Sequence, residues 1–163
     1  MILLELFSQP VAWKWSYKNS EEFGADFKVG EIPYQFYAYQ NPHPSGGTLL
    51  RRNEAKKNSN YKHYKNWEVE FRIENSFAGN KSLSRYSLSN TGNASVVMAT
   101  VLEILKDFIK QNENKIDEIL FSAKEPSRDK LYARMLKKMM PPKWTLETEH
   151  NKYDGTVFIL LPN

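Results

Sequence analysis

Residues 95–111 constrain this chain more than any other stretch. Val96, Val97, Ala99, Thr100, Leu102, Ile104, Leu105, Phe108 and Ile109 leave little polar surface until the last turns, so the segment reads as a mostly buried helix. Short strand signals flank it at residues 85–89 and 116–123. Residues 127–140 then form an amphipathic helix. Its apolar side is Leu131, Tyr132, Met135, Leu136 and Met139, its outer side is Arg128, Lys130, Arg134, Lys137 and Lys138, and Pro141-Pro142 ends it.

Upstream the period changes from helical to two. Trp13, Trp15 and Tyr17 alternate along a strand at residues 11–18. Residues 25–29 and 32–39 read as a hairpin turned at Gly30-Glu31, with Phe36 and Ala38 on one face and Tyr37 and Tyr39 on the other. Residues 67–74 are a further strand, with Trp67, Val69, Phe71 and Ile73 opposite Glu68, Glu70, Arg72 and Glu74. Residues 144–149 and 156–161 predict a closing hairpin around Asp154-Gly155. Leu3, Leu4, Leu6 and Phe7 form a short amphipathic turn stopped by Pro10. The whole reads as one α+β domain over residues 1–163, with a central mixed, mostly antiparallel sheet and no internal repeat.

A chain of 163 residues can bury a real core without staples. It has no cysteine, which excludes disulfides, thiolate metal sites and a cysteine nucleophile and fits a reducing cytoplasm. No apolar run approaches the roughly 18–20 residues that span a bilayer, so no membrane partner is expected. Glu5 and the lack of a basic start argue against a secretory signal. His43, His63 and His150 lack metal-ligand spacing, so no metal is expected.

Charge is unevenly placed. Within about 41–66, Arg51, Arg52, Lys56, Lys57, Lys62 and Lys65 face one acid, Glu54, whereas the whole chain carries only +4. A basic loop therefore sits on a near-neutral body. Tyr61 and Tyr64 interleave with its cations. Cations attract phosphates and aromatic rings stack on bases, yet the same run also suits a solvated loop or a docking site for an acidic host or virion protein.

The strand at 85–89 leads through Ser89-Asn90-Thr91-Gly92-Asn93-Ala94 into the buried helix. Gly92 allows a positive φ, and the first helical turn offers N–H groups and partial positive charge suited to a phosphate. An ordinary strand-to-helix turn capped by Thr91 or Asn93 reads equally from the residues.

That order of elements, with Gly92 and Ala94 at the two small positions of the turn and Leu131-Tyr132 early in the following helix, resembles the GNAT (Gcn5-related N-acetyltransferase) family over residues 67–161. The resemblance implies a GNAT-like β-α-β-α-β-β C-terminal core. It also implies that backbone amides of Thr91, Gly92, Asn93 and Ala94 hold the pyrophosphate of acetyl-CoA, and that Tyr132 protonates the departing thiolate. Amine acetylation needs a proton acceptor, for which Glu68 and Glu70 are the candidates; their alternation fits a solvated strand face as well. Ser89 stands where the family has Gln or Arg, and Met140-Pro141-Pro142 replaces its Gly-Phe, so the motifs are degenerate.

Thr91-Gly92-Asn93-Ala94, Ala99-Thr100-Val101, Phe121-Ser122-Ala123 and the run from Ser127-Arg128 through Leu131-Tyr132 to Arg134 also resemble an uncharacterised group of tailed-bacteriophage proteins. That resemblance implies a phage origin and the host cytoplasm. Two functions follow as expectations. The first is a non-catalytic GNAT-like protein that binds a host or virion macromolecule through its basic loop, with nucleic acid as another ligand for that loop. The alternative is an acetyl-CoA-dependent N-acetyltransferase.

Overall fold

Alternation decides most of the sheet. A computed structural model of the chain describes residues 9–40, 65–74, 94–123, 129–139, 142–151 and 155–162. In chain order these hold β1 (Trp13–Lys18), β2 (Glu22–Val29), β3 (Ile32–Gln40), β4 (Asn66–Ile73), α1 (Ala94–Gln111), β5 (Glu118–Ala123), α2 (Asp129–Met139), β6 (Trp144–Asn151) and β7 (Gly155–Pro162). The strands form one sheet in the order β1-β2-β3-β4-β5-β7-β6. Neighbours are antiparallel except β4 and β5, which are parallel. The fold is therefore α+β, with a mixed, mostly antiparallel sheet and a β-α-β-α-β-β order from β4 onward. The expected turn at residues 3–7, the strand at 85–89 and Asp154 of the closing turn lie outside the described residues.

Local chemistry explains the joints. Gly30 sits at φ 60, a left-handed conformation that glycine adopts without a steric penalty, and it closes β2 onto β3 with Val29 opposite Ile32. Asn19 Oδ1 accepts from the amides of Glu21 and Glu22, at 2.9 and 2.8 Å, and so shapes the β1–β2 turn. A 3-10 turn at Glu113–Lys115 delays β5 to Glu118, later than the predicted start at 116. The indole of Trp67 donates to the Lys115 carbonyl at 3.0 Å and pins that turn to the sheet.

Both helices cover one face of the sheet. Phe23, Phe36, Trp67, Phe121 and Phe158 point into it and are buried. Phe108 of α1 meets the rings of Phe23 and Trp67 at 5.1 and 4.9 Å, and Tyr132 of α2 meets Phe121 at 6.3 Å. Burying a side chain of this size contributes about 1.5–3 kcal/mol. The opposite face, called the open face for its polar row, carries Glu22, Gly24 and Asp26 of β2, Gln35, Tyr37 and Tyr39 of β3, and Glu68, Glu70 and Arg72 of β4, as the two-residue period dictates, whereas Leu120 and Ile159 on the same face are buried.

One predicted alternation breaks. Trp13 and Trp15 lie against α1, their indoles donating to Glu103 Oε2 at 3.3 Å and Asp107 Oδ2 at 2.8 Å. Tyr17 does not follow them. The β1–β2 register shifts between Trp15 and Tyr17, so Trp15 pairs with Ala25 but Tyr17 pairs with Gly24. The extra residue sends Tyr17 to the open face.

Candidate functional site

The parallel pair β4–β5 is where the ladder of the sheet is interrupted among the described residues. Its ladder holds Asn66↔Glu118, Trp67↔Ile119, Glu68↔Leu120 and Val69↔Phe121, and stops there. Beyond that rung β4 continues to Ile73 along β3, and β5 continues to Ala123 along β7. The Glu74 amide donates to the Pro33 carbonyl at 2.9 Å. Even-numbered backbone groups of β4 therefore point towards β3 and odd-numbered ones towards β5. Phe71 and Ile73 aim their N–H and C=O groups to the β5 side, past the last β5 rung.

Helix α1 reinforces that end. It links parallel strands and must run back against them. Its contacts with the β1 side show this direction: Thr100 Oγ1 accepts from the Val11 amide at 3.0 Å, Asp107 accepts from Trp15, and Gln111 accepts from Lys18 Nζ at 3.1 Å. The N-terminal end of α1, at Ala94, consequently faces the end of the sheet where β4 has left β5. That end of a helix carries partial positive charge. Of the expected phosphate-holding residues, Ala94 is the first residue of α1 and is 5% exposed; Thr91, Gly92 and Asn93 lie outside the described residues.

The other candidates divide between the two faces. Tyr132 is buried on the helix face, its ring edge-on to Phe121 in the last rung of the ladder. Glu68 and Glu70 stand on the open face of β4. Tyr39 Oη donates to Glu68 Oε2 at 2.7 Å. Glu70 Oε1 lies 3.6 Å from Arg72 Nη1, and the Arg72 guanidinium sits 4.2 Å over the Tyr37 ring. Tyr37 Oη in turn donates to Gln35 at 2.9 Å. The proton-donor and proton-acceptor candidates thus lie on opposite sides of the sheet, near the end of the ladder at Val69 and Phe121.

Of the basic run, Lys65 alone is described. Its amide donates to Asp117 Oδ2 at 2.5 Å and its carbonyl accepts from the amides of Asp117 and Glu118. Arg51, Arg52, Lys56, Lys57 and Lys62 lie outside the described residues. Among the described residues no three His, Asp or Glu side chains gather as metal ligands, and no helix is long and apolar enough to cross a membrane.

Sequence reasoning missed one polar chain. Thr156 Oγ1 donates to Asp129 Oδ2 and lies 3.0 Å from His150 Nδ1. The chain ties the first residue of α2 to the β6–β7 hairpin, three residues before Tyr132. Only the His150↔Thr156 pairing of the hairpin could have signalled it; the link to Asp129 is long-range.

A family model described as a family of unknown function (DUF6934) matches residues 51–143. No curated protein matches the chain. Among solved structures it is similar to that of FeeM, an N-acyl amino acid synthase from uncultured soil microbes, at 13% identity and a TM-score of 0.40, over 90% of this chain and 79% of that one. The strand order and the interrupted β4–β5 ladder are properties of this chain and stand without that likeness.

Proposed function

We propose, for a chain that belongs to the family of unknown function DUF6934, that the end of the β4–β5 ladder receives an acyl thioester and that the protein is an acetyl-CoA-dependent N-acyltransferase. One observation carries this reading: the parallel ladder ends at Val69↔Phe121 while both strands run on. An extended thioester arm then lies along Phe71 and Ile73 as a strand would, with its pyrophosphate towards the start of α1. The amine nitrogen attacks the thioester carbonyl from the open face, forming the C–N bond as the C–S bond breaks. The amine proton passes to Glu68 or Glu70, and the departing sulfur takes a proton from Tyr132. Proximity within the gap supplies much of the acceleration.

The test is thermal unfolding with acetyl-CoA. A ligand at 100 times its Kd stabilises by about 2.7 kcal/mol. A clear rise in Tm supports the reading, and Tyr132→Phe should keep that rise while slowing acetyl transfer to amines. An unchanged Tm at millimolar acetyl-CoA removes the acyltransferase.

A second reading keeps the scaffold and drops the chemistry. Tyr132 is only 2% exposed, and Glu68 already binds the Tyr39 hydroxyl; both favour a non-catalytic protein. Its basic run, from Arg51 to Lys65, would contact an acidic host or virion protein, or nucleic acid, in the host cytoplasm. Deleting residues 49–65 and comparing host-lysate pull-downs at low and high salt tests it. A bound set that the deletion leaves unchanged rules it out.

A further inference from the structure

Tyr17 is the large apolar side chain that the described residues leave exposed, at 39%. A single exposed ring is ordinary; the way this one is held is not. The register shift after Trp15 turns it away from the core. Its ring then lies on the bare backbone of Gly24, so close that a Cβ there would come 2.2 Å from Tyr17 Cε1. Tyr37 supports it from the far side at 6.4 Å. A bulge and a mid-strand glycine both weaken a sheet, and here both serve to lay one aromatic face flat on the surface.

Two acids, Glu22 and Asp26, and one cation, Arg72, act on it. Glu22 and Asp26 flank Gly24 by two residues on either side and share its face. Among the described residues neither forms an ion pair, although Lys14 is the register partner of Asp26. The Tyr17 hydroxyl feels them: its pKa is raised first by burial, then by Tyr37 and Glu22, with Asp26 adding and Arg72 opposing. A ring face beside carboxylates that form no ion pair among the described residues attracts a cation.

We propose that this ledge is a docking site for an arginine side chain on a partner peptide, its guanidinium stacked over Tyr17 and paired with the flanking carboxylates of Glu22 and Asp26. A guanidinium fits better than an ammonium because it is planar, stacks on rings and presents a fork of donors to carboxylates. The site is distinct from the β4–β5 gap. Net charge does not explain the attraction, because the protein itself is +4 and repels cationic peptides at long range.

The experiment measures the anisotropy of a rhodamine-labelled peptide carrying two arginines, titrated with the full-length protein at low ionic strength. Lysine and glutamate versions of the peptide run alongside. The expected result is saturable binding of the arginine peptide, weaker binding of the lysine one and none of the glutamate one. Tyr17→Leu, and Glu22→Gln with Asp26→Asn, should each weaken binding about fivefold or more at unchanged cooperative melting. Because the carboxylate variants leave the bulge and the ring in place, they keep the test valid if Tyr17→Leu melts early. Binding that is absent in the wild type, or equal in all variants, overturns the proposal. So does concentration-dependent self-association that Tyr17→Leu abolishes without any peptide binding, which would make a second copy of the chain the occupant.

Discussion

Val69 and Phe121 form the last rung of the parallel β4–β5 ladder, and the Phe121 ring at that rung also holds α2 in place. It meets Tyr132 at 6.3 Å, Phe71 at 5.9 Å and Phe158 at 6.4 Å. The end of strand pairing and the anchor of the second helix are thus one structural event. Phe121→Ala should cost about 3–5 kcal/mol in urea unfolding. Amide exchange should rise more in α2 than in α1, whose own contacts with Phe23 and Trp67 remain. Equal acceleration in both helices would show that Phe121 does not anchor α2 in particular.

Thr156→Val should destabilise by about 1–3 kcal/mol. The substitution keeps shape and removes the hydroxyl that bonds Asp129 and contacts His150. Asp129 Oδ1 is already buried without a hydrogen-bond partner, so the variant leaves neither carboxylate oxygen satisfied from Thr156 or elsewhere among the described residues. Thr156→Ser retains the hydroxyl and should lose much less. Matching urea midpoints for the two variants would show that the chain adds no stability.

Gly24→Ala should cost about 1–3 kcal/mol, because the new methyl meets the Tyr17 ring at far less than van der Waals distance. The cost belongs to the pair. In a Tyr17→Ala background the same change should be close to neutral, giving a coupling above about 1 kcal/mol in a double-mutant cycle. Additive effects would mean that Gly24 is needed for some reason other than the ring.

The Tyr17 phenol predicts an alkaline dependence. Its folded pKa lies above the ordinary value of 10.0, chiefly through burial. Below pH 10.0 both folded and unfolded states keep the proton, and the stabilising contribution is fully present. As pH rises past that value the unfolded chain releases the proton first, so stability falls through the folded pKa. Other tyrosines titrate in the same range, so the informative quantity is the difference between wild type and Tyr17→Phe. That difference should be flat below pH 9 and shrink the advantage of the wild type above pH 10; a flat difference throughout would overturn the assignment.

Much of this architecture is written in local pattern. Gly30 between Val29 and Ile32 announces the β2–β3 turn, and strict alternation from Trp67 to Ile73 sorts β4 into a core row and a polar row. The near-continuous apolar surface of residues 95–109 marks α1 as buried. What local pattern could not disclose depends on a single inserted residue or on distant partners. Trp13, Trp15 and Tyr17 look like one face until the bulge separates them. The length of the β4–β5 ladder depends on where two strands far apart in sequence part company. Asp129, Thr156 and His150 meet only because α2 lands beside the last hairpin. Glu68 and Glu70 were legible as open-face carboxylates, but their partners Tyr39 and Arg72 follow from the β3–β4 register, which no composition or period encodes.

Asn66 offers a last measurement at the other end of the same ladder. It is 4% exposed, and both its Oδ1 and Nδ2 are buried without a hydrogen-bond partner among the described residues. Burial strips water from an amide at a cost of about 1–3 kcal/mol when nothing replaces it. Its register partner Glu118 is fully buried beside it, so the first rung sets two polar side chains in the interior. Valine favours strands and carries no polar atoms. Asn66→Val should therefore stabilise the fold by about 1 kcal/mol, read as a higher urea midpoint at constant m-value. A loss of stability of that size would mean that the amide compensates the buried carboxylate next to it, and that the first rung is held by polar rather than apolar contact.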